Sequence, residues 1–537
     1  MWEYNRNSAF EAKNYFSGKL PVPPLIYNDF GAVVDGPILK NRLFFTGSYR
    51  GQRNTATAVT TTTVPRPEFS TGDFSAVPGA LIYNPFSGNP DGTGRTAFGN
   101  KIPDNLITPQ AKAINKYFPT PTNPTAITNN YTWNAPNTFT ADTYFGRGDY
   151  QLSDSTKLFA EVANQKTNFL SSSALPLPLG AGQRSNDTVW APTINLTHSF
   201  SPRLLTEFRV AYDYYGIHWH DANDTLSNSD VGIADPSPSP FSDKGLAQIQ
   251  ASITIGGQIN SPADVISHLS QFIDTWTKQL PNQTLKWGAE FHRYSLILAE
   301  AYNTGFGGRG SFYFESATTQ LNPGKNKAPS YGSYGSYINA FSSYLLGTPQ
   351  ESTRAYLTQS QRIRQNQIEA FFEDTWNVTP NLTLDMGIRD EFYGPGVTKN
   401  KGGSARYDWT NNSLYVSGYG NNNLAGNIAN QNLVEPRIGF GYQFKKNSVL
   451  RGGFAMSGWS GEYVFTGSQL TGNFPTLEIV QQGVVSGYGY NGNFNNIPAA
   501  PQLQIPDNGI INPAPNLVFS TQRCPTLKLG TYFMRGR

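Results

Sequence analysis

Residues 380–392 read Pro-Asn-Leu-Thr-Leu-Asp-Met-Gly-Ile-Arg-Asp-Glu-Phe, and this stretch decides the fold class. Its Pro-Asn start favours a tight turn. After the turn, apolar and polar residues alternate with period two, which is typical of a β-strand whose faces meet different surroundings. The apolar face holds Leu382, Leu384, Met386, Ile388 and Phe392, broken only by Asp390, and the polar face holds Thr383, Asp385, Gly387, Arg389 and Glu391.

The same pattern recurs six times along the chain: a strand-like run, a tight polar turn and a second strand-like run. Pro, Asn, Asp and Ser occupy the turns, where their local hydrogen bonding and restricted backbones favour chain reversal. Each pair of runs predicts a β-hairpin. The six hairpins are centred on residues 38–45, 151–159, 199–205, 279–285, 377–382 and 443–450.

The lengths of the runs and of their connections indicate a membrane protein. Each run carries at least 9–12 alternating residues, and a β-strand needs about 9–11 residues to cross a bilayer. Tight turns at one end and long loops at the other are typical of an outer-membrane barrel, whose closure satisfies every backbone hydrogen bond. We predict an all-β fold, a transmembrane antiparallel β-barrel of at least 12 strands. The long extracellular loops are predicted at residues 54–142, 168–189, 219–267, 299–364 and 394–434.

Composition excludes several other classes. Of the 537 residues, 13% are aromatic and 14% are charged, which argues against both a disordered chain and a helical bundle. The net charge of +3 comes without a basic cluster, so nucleic acid is not an expected partner. The single cysteine, Cys524, excludes an internal disulfide. No run of about 20 apolar residues predicts a membrane-spanning helix.

Several short stretches resemble the TonB-dependent receptors of the Oar-like type, a family of large outer-membrane proteins. The resemblance runs from the start of the chain to about residue 460, and its short matches occur in the family's order. They include Trp-Glu-Tyr-Asn-Arg-Asn at 2–7, Gly-Asp-Phe at 72–74, Phe-Ser-Ser-Tyr-Leu-Leu-Gly at 341–347, Leu-Asp-Met-Gly-Ile-Arg at 384–389 and Val-Leu-Arg-Gly-Gly-Phe at 449–454.

The resemblance implies an outer-membrane barrel of about 22 strands with an N-terminal plug. It also implies import of a large extracellular ligand, such as a carbohydrate, a peptide or a metal chelate, driven by the TonB complex. Residues 1–29 are expected to be the end of the plug or a lead-in segment, 30–460 the barrel portion, and 461–537 a Gly/Asn/Pro-rich loop and tail. No signal peptide, TonB box or complete plug is recognisable, so the chain is expected to be part of a longer protein.

The best candidate for a metal site is the run His218-Trp219-His220-Asp221. His218 and His220 share one strand face because side chains alternate along a strand. Imidazole and carboxylate groups suit transition metals. The alternative is an exposed polar cluster at the end of a strand. No cofactor is expected.

Four tyrosines, Tyr331, Tyr334, Tyr337 and Tyr344, lie in a Gly/Ser-rich loop and are candidates for contact with a ligand through stacking. The alternative is that they pack the loop onto the barrel mouth.

No catalytic motif is recognisable, so the protein is not expected to be an enzyme. Glu373-Asp374 and the set Asp385, Arg389 and Glu391 resemble acid/base pairs, but alternating charge along a lumen explains them better. The main alternative to transport is an outer-membrane barrel that serves adhesion or surface structure. A secreted β-sandwich or glycan-binding enzyme is a third possibility, and it requires two carboxylates facing each other in a cleft.

Overall fold

The computed structural model describes residues 1–12, 22, 24–238, 244–258, 261–300, 307–324, 334–408, 410–422, 431–458, 474–483, 489–490, 494–495, 497–500 and 504–512. Tyr331 and Cys524 lie outside the described residues. Within them, no helix is long and apolar enough to cross a membrane.

Strands dominate the described chain. In chain order they are β1 (Trp2–Asn7), β2 (Leu25–Leu39), β3 (Leu43–Thr62), β4 (Ile82–Tyr83), β5 (Ala97–Gly99), β6 (Tyr131–Ser153), β7 (Thr156–Ser171), β8 (Gln183–Ser201), β9 (Leu204–Asp221), β10 (Gln248–Gln250), β11 (Thr254–Ile255), β12 (Ala263–Gln279), β13 (Gln283–Glu300), β14 (Ser311–Tyr313), β15 (Glu351–Leu357), β16 (Gln361–Thr379), β17 (Leu382–Tyr393), β18 (Val397–Thr398), β19 (Ala405–Asp408), β20 (Ser413–Val416), β21 (Gln431–Lys445), β22 (Ser448–Ala455), β23 (Leu477–Gly483) and β24 (Ile510–Ile511). The α-helices are α1 (Pro67–Ser70), α2 (Pro109–Asn115) and α3 (Gly335–Leu345).

Thirteen strands form one continuous antiparallel ladder, so the prediction of at least 12 barrel strands is confirmed. Their order is β1-β2-β3-β6-β7-β8-β9-β12-β13-β16-β17-β21-β22, and β18 adds to the end of β16. Each strand pairs with the next long strand along the chain, which is the simplest up-and-down connectivity. Within the described residues, β1 and β22 have a ladder partner on one side only.

All six predicted hairpins are present: β2/β3, β6/β7, β8/β9, β12/β13, β16/β17 and β21/β22. Their turns all lie at one end of the ladder. Five of the six show a shift of register beside the turn, such as that between Gln151 and Ser153 in β6. Such an irregularity increases the local twist as the strand enters its turn.

The two faces of the ladder differ as the alternation predicts. On β17 the apolar side chains of Ile388 and Phe392 are exposed, whereas Glu391 on the other face is buried. On β21 the same holds for exposed Ile438 and buried Glu435. A row of exposed apolar groups is stable only against another apolar phase, because roughly 25 cal/mol per Å² favours removing them from water.

The strands extend further than the sequence predicted. The connection predicted at 54–142 shortens to 63–130, because β3 continues to Thr62 and β6 starts at Tyr131. These ends were missed because both faces there carry polar residues, so the alternation disappears. The predicted lead-in 1–29 also differs, because Trp2–Asn7 pairs with β2 as an edge strand of the ladder.

At the end opposite the hairpin turns, the long connections pack into one folded unit. We call this unit the cap, and it consists of the described parts of 63–130, 172–182, 222–262, 301–360 and 474–500. One buried apolar cluster joins all five segments, and α3 contributes Tyr337, Ile338, Phe341, Tyr344 and Leu345 to it. The cap also contains the sheet β11-β10-β14-β15-β23. The predicted tail therefore contributes structure, since β23, Phe494 and Ile497 come from it.

Candidate functional site

A cluster of charged side chains lies on the polar face of β13, β16 and β17. Register places Glu290, Glu369 and Glu391 side by side across the three strands. Arg389 contacts all three carboxylates: it lies 3.6 Å from Glu290 and 2.5 Å from Glu391, and it donates a short hydrogen bond to Glu369. One guanidinium therefore pairs with three carboxylates, and His292 of β13 lies 3.3 Å from Glu290 and 3.9 Å from Glu369. We call Arg389, Glu290, Glu369 and Glu391 the Arg389 cluster.

The carboxylates that resembled acid/base pairs have other partners. Glu373 lies on the polar face and accepts a hydrogen bond from Arg437 at 3.2 Å. Asp374 points to the opposite face and accepts one from Gln283 at 3.0 Å. Glu373 and Asp374 therefore do not face each other.

The polar face continues across the N-terminal half of the ladder. Arg147 binds Asp149 and Glu161, each at 2.7 Å, and stacks over Phe159 at 3.8 Å from the ring centroid. Ion pairs of this kind need water or full pairing, because unpaired charge in a dry interior is very unfavourable. The polar face therefore suits a hydrated lumen.

Aromatic side chains form two bands on the apolar face. Near the hairpin turns, Trp276 stacks on Trp287 with centroids 6.2 Å apart, and Phe200 stacks on Trp276 at 5.3 Å. Further along the strands, Trp190 and Tyr212 are exposed on the same face. Tyr212 lies eight positions beyond Leu204, the start of β9. Two such bands flank an apolar band of about 25 Å in outer-membrane barrels.

The sequence matches a known protein family over almost its whole length. The family model described as "Outer membrane beta barrel domain" covers residues 1–528. This chain belongs to the outer-membrane β-barrel domain family. The barrel prediction and the outer-membrane location are thereby confirmed, so the apolar face of the ladder contacts lipid and the polar face lines the lumen. The hairpin turns are periplasmic and the cap is extracellular.

Solved structures show only a distant likeness. The outer-membrane transporter YddB from Escherichia coli is 10% identical with a TM-score of 0.37, and the match covers 80% of this barrel chain and 46% of YddB. The copper transporter OprC is also 10% identical, with a TM-score of 0.37 and coverage of 86% and 50%. FpvA of P. aeruginosa, solved with pyoverdines, is 11% identical with a TM-score of 0.35 and coverage of 86% and 52%.

The barrel chain thus spans about half the length of the structures it matches. TM-scores this low do not establish a relationship, so the family membership rests on the family match alone. No curated protein matches the chain in sequence.

The candidate ligand-contact tyrosines lie mostly in the core of the cap. Tyr337 and Tyr344 are on α3 and are only 5% and 1% exposed. Tyr344 packs against Phe314, Phe341 and Phe494. Tyr334 is half-buried against the same cluster. Tyr337 and Tyr344 therefore pack in the cap core, as the packing alternative expects, because α3 is buried along almost its whole surface. Contact of these tyrosines with a ligand stays a prediction.

The metal candidates separate onto two faces. His218 and His220 lie on the lipid-side face of β9 beyond the aromatic band, and Asp264 of β12 lies opposite His218. His218 Nδ1 is 2.7 Å from Asp264 Oδ1, and His220 Nε2 is 3.9 Å from the same oxygen. Asp221 does not join them, because odd-numbered positions of β9 face inward and Asp221 is buried against Arg309. The carboxylate that lies beside the two histidines is therefore that of Asp264 and not that of Asp221.

Proposed function

We propose that this chain is the barrel and extracellular cap of a TonB-dependent outer-membrane receptor. A large hydrophilic ligand, such as a carbohydrate, a peptide or a metal chelate, binds on the outside of the cap. It then enters the lumen along the charged wall when TonB transmits energy from the inner membrane. The resemblance of the sequence to Oar-like receptors supports the TonB coupling.

One observation carries the proposal: the lumen wall is lined with ion-paired side chains instead of packed apolar ones. The Arg389 cluster holds three carboxylates against one guanidinium, and Arg147 binds two more. A barrel of at least 12 strands is too wide for such side chains to fill, so its lumen accommodates water, a plug or a ligand. A charged wall keeps hydrated ligands soluble along the path.

The experiment compares bacteria that carry the whole receptor with and without TonB. The probes are fluorescently labelled oligosaccharides, peptides and ferric chelates, measured as surface-bound and as protected internal label. The proposal predicts surface binding in both strains and internal label only where TonB is present. Internal label that is independent of TonB contradicts it, and so does a whole protein that purifies as a soluble monomer without detergent.

An adhesive or structural barrel is the second candidate, and the packing of the cap favours it. The cap has a closely packed core in which even the large Arg354 side chain is fully buried, with its guanidinium held by Asp235 at 2.8 Å. A folded surface unit of this kind suits attachment to another cell or matrix. Cell attachment that requires the cap but is unchanged without TonB identifies this function.

A further inference from the structure

The lipid-side face of β9 and β12 carries three side chains of the types that bind metals, just above the membrane band. Antiparallel register sets Asp264 opposite His218, and His220 lies two positions further along the same face. The three ligand atoms all lie within 4.8 Å of one another. The cluster therefore arises from the pairing of two strands that are joined by the long connection 222–262.

The spacing fits a small transition-metal ion. A tetrahedral zinc site has bonds of about 2.0–2.2 Å, which place neighbouring ligand atoms about 3.4 Å apart. The two distances to Asp264 Oδ1, 2.7 Å from His218 and 3.9 Å from His220, bracket that value. Two imidazoles and one carboxylate are a common ligand set for zinc, with the fourth position left to water.

The position of the cluster gives an ion access from solvent. A strand crosses the bilayer in about 9–11 residues. His218 and His220 are 14 and 16 positions beyond Leu204, so they lie outside the hydrocarbon on the extracellular side. The side chains of His218, His220 and Asp264 are 36–38% exposed.

A neighbouring arginine does not block the cluster. Register places Arg184 of β8 opposite His220. The Arg184 guanidinium is directed to Asp224 at 3.7 Å, and both of these side chains are exposed. Asp224 thus balances the arginine, and the carboxylate of Asp264 remains available to the two histidines.

We propose that His218, His220 and Asp264 bind one Zn²⁺ ion at the outer rim of the barrel. The ion ties β9 to β12 at the base of the connection 222–262. That connection supplies part of the cap core, including Leu226, Val231 and Ile249, so the ion stabilises the cap from its base. This site is independent of transport, and it is separate from the lumen.

The test uses the full chain in detergent micelles, purified through a tag without histidine. Titration with Zn²⁺ and the visible spectrum of added Co²⁺ measure binding to the wild type and to His218→Ala, His220→Ala and Asp264→Asn. His268→Ala is the matched control, because His268 lies on the same face of β12 and bonds Tyr212 at 2.6 Å. Heat-modifiable migration in SDS gels shows that each sample is folded.

The proposal predicts one Zn²⁺ per chain, a tetrahedral Co²⁺ spectrum, and a loss of affinity of about tenfold or more in each of the three ligand variants. The His268→Ala control keeps the wild-type affinity. Zn²⁺ also slows proteolysis of the connection 222–262 in the wild type and not in the ligand variants. Equal affinity in His218→Ala and His268→Ala overturns the site, as does a folded wild type that binds no stoichiometric Zn²⁺.

Discussion

Arg309 donates a short charge-assisted hydrogen bond to Asp221 inside the protein, where the two side chains are 4% and 0% exposed. Asp221 ends β9, and Arg309 lies in the connection between β13 and β14. Burial raises the pKa of the Asp221 carboxyl, and the neighbouring guanidinium acts in the opposite direction. The pair therefore fixes the cap to the rim of the barrel.

Replacing Arg309 with methionine is expected to destabilise the cap by about 3–5 kcal/mol, because the buried carboxylate loses its counter-charge. Urea-dependent proteolysis of the cap measures the change. The matched control is Lys112→Met, which breaks the exposed pair with Asp104 and is expected to cost at most about 1 kcal/mol. Equal effects of the two variants contradict the role of the buried pair.

Glu478 gives the cap a dependence on pH. It lies on β23 opposite Tyr356, is 8% exposed, and has one carboxylate oxygen without a hydrogen-bond partner among the described residues. Burial raises its pKa from 4.5 to about 7. The folded cap therefore keeps a proton that the unfolded chain loses, so stability falls as pH rises from 4.5 to about 7 and is constant above.

The loss over that range is at most about 3 kcal/mol, since one pKa unit corresponds to about 1.4 kcal/mol. The midpoint of thermal unfolding of the cap, measured between pH 5 and pH 8, reports it. Glu478→Gln removes this part of the pH dependence and is more stable than the wild type at pH 8. If the pH profile of Glu478→Gln equals that of the wild type, the pH dependence does not come from Glu478.

The Arg389 cluster makes the lumen wall sensitive to loss of its arginine. Arg389→Met is expected to cost about 3–5 kcal/mol, because three partly buried carboxylates then repel one another. The added change Glu369→Gln recovers part of the loss. Urea unfolding in vesicles, followed by tryptophan fluorescence, measures both variants.

Arg437→Met is the control for this cluster, because it breaks an exposed lumen pair with Glu373 at 3.2 Å. Its expected cost is at most about 1 kcal/mol. A cost for Arg437→Met as large as that for Arg389→Met argues against a special role of the cluster.

The lipid face and the lumen face respond differently to a new charge. Ile388→Arg places a guanidinium near the middle of the bilayer and is expected to cost about 2–4 kcal/mol of folding free energy. Thr375→Arg lies inside the barrel opposite Asp385, where water and a counter-charge are available, so it is nearly neutral. Folding titrations in lipid vesicles compare the two, and a reversed order refutes the assignment of faces.

The sequence predicted the hairpins because their signals are local. A turn and the alternation beside it, as in Pro380–Phe392, depend on residues close together in the chain. In β12, Asp274 lies on the same face as Trp276 and interrupts the apolar alternation of that strand. The structure explains the exception, because Asp274 accepts hydrogen bonds from Thr206 and Trp276, each at 2.9 Å, beside the membrane surface.

The cap and the proposed metal ligands could not be predicted in the same way. Asp264 is 44 positions from His220, and it joins the histidines only through the register of β9 and β12. The helix α3 did leave a signal, because Tyr334, Tyr337, Phe341 and Tyr344 recur at helical spacing. That spacing predicts a buried helical stripe and not a ligand-binding loop.

The most direct test of the barrel assignment measures which positions of β17 face lipid and which face water. Single cysteines at positions 383–392, in a Cys524→Ser background, carry a fluorescent label in vesicles that contain brominated lipid. The account predicts that label at 384, 386, 388 and 392 is quenched by the lipid, and that label at 383, 385, 387, 389 and 391 is quenched only by aqueous iodide. Equal lipid quenching at adjacent positions, or none along the strand, contradicts it.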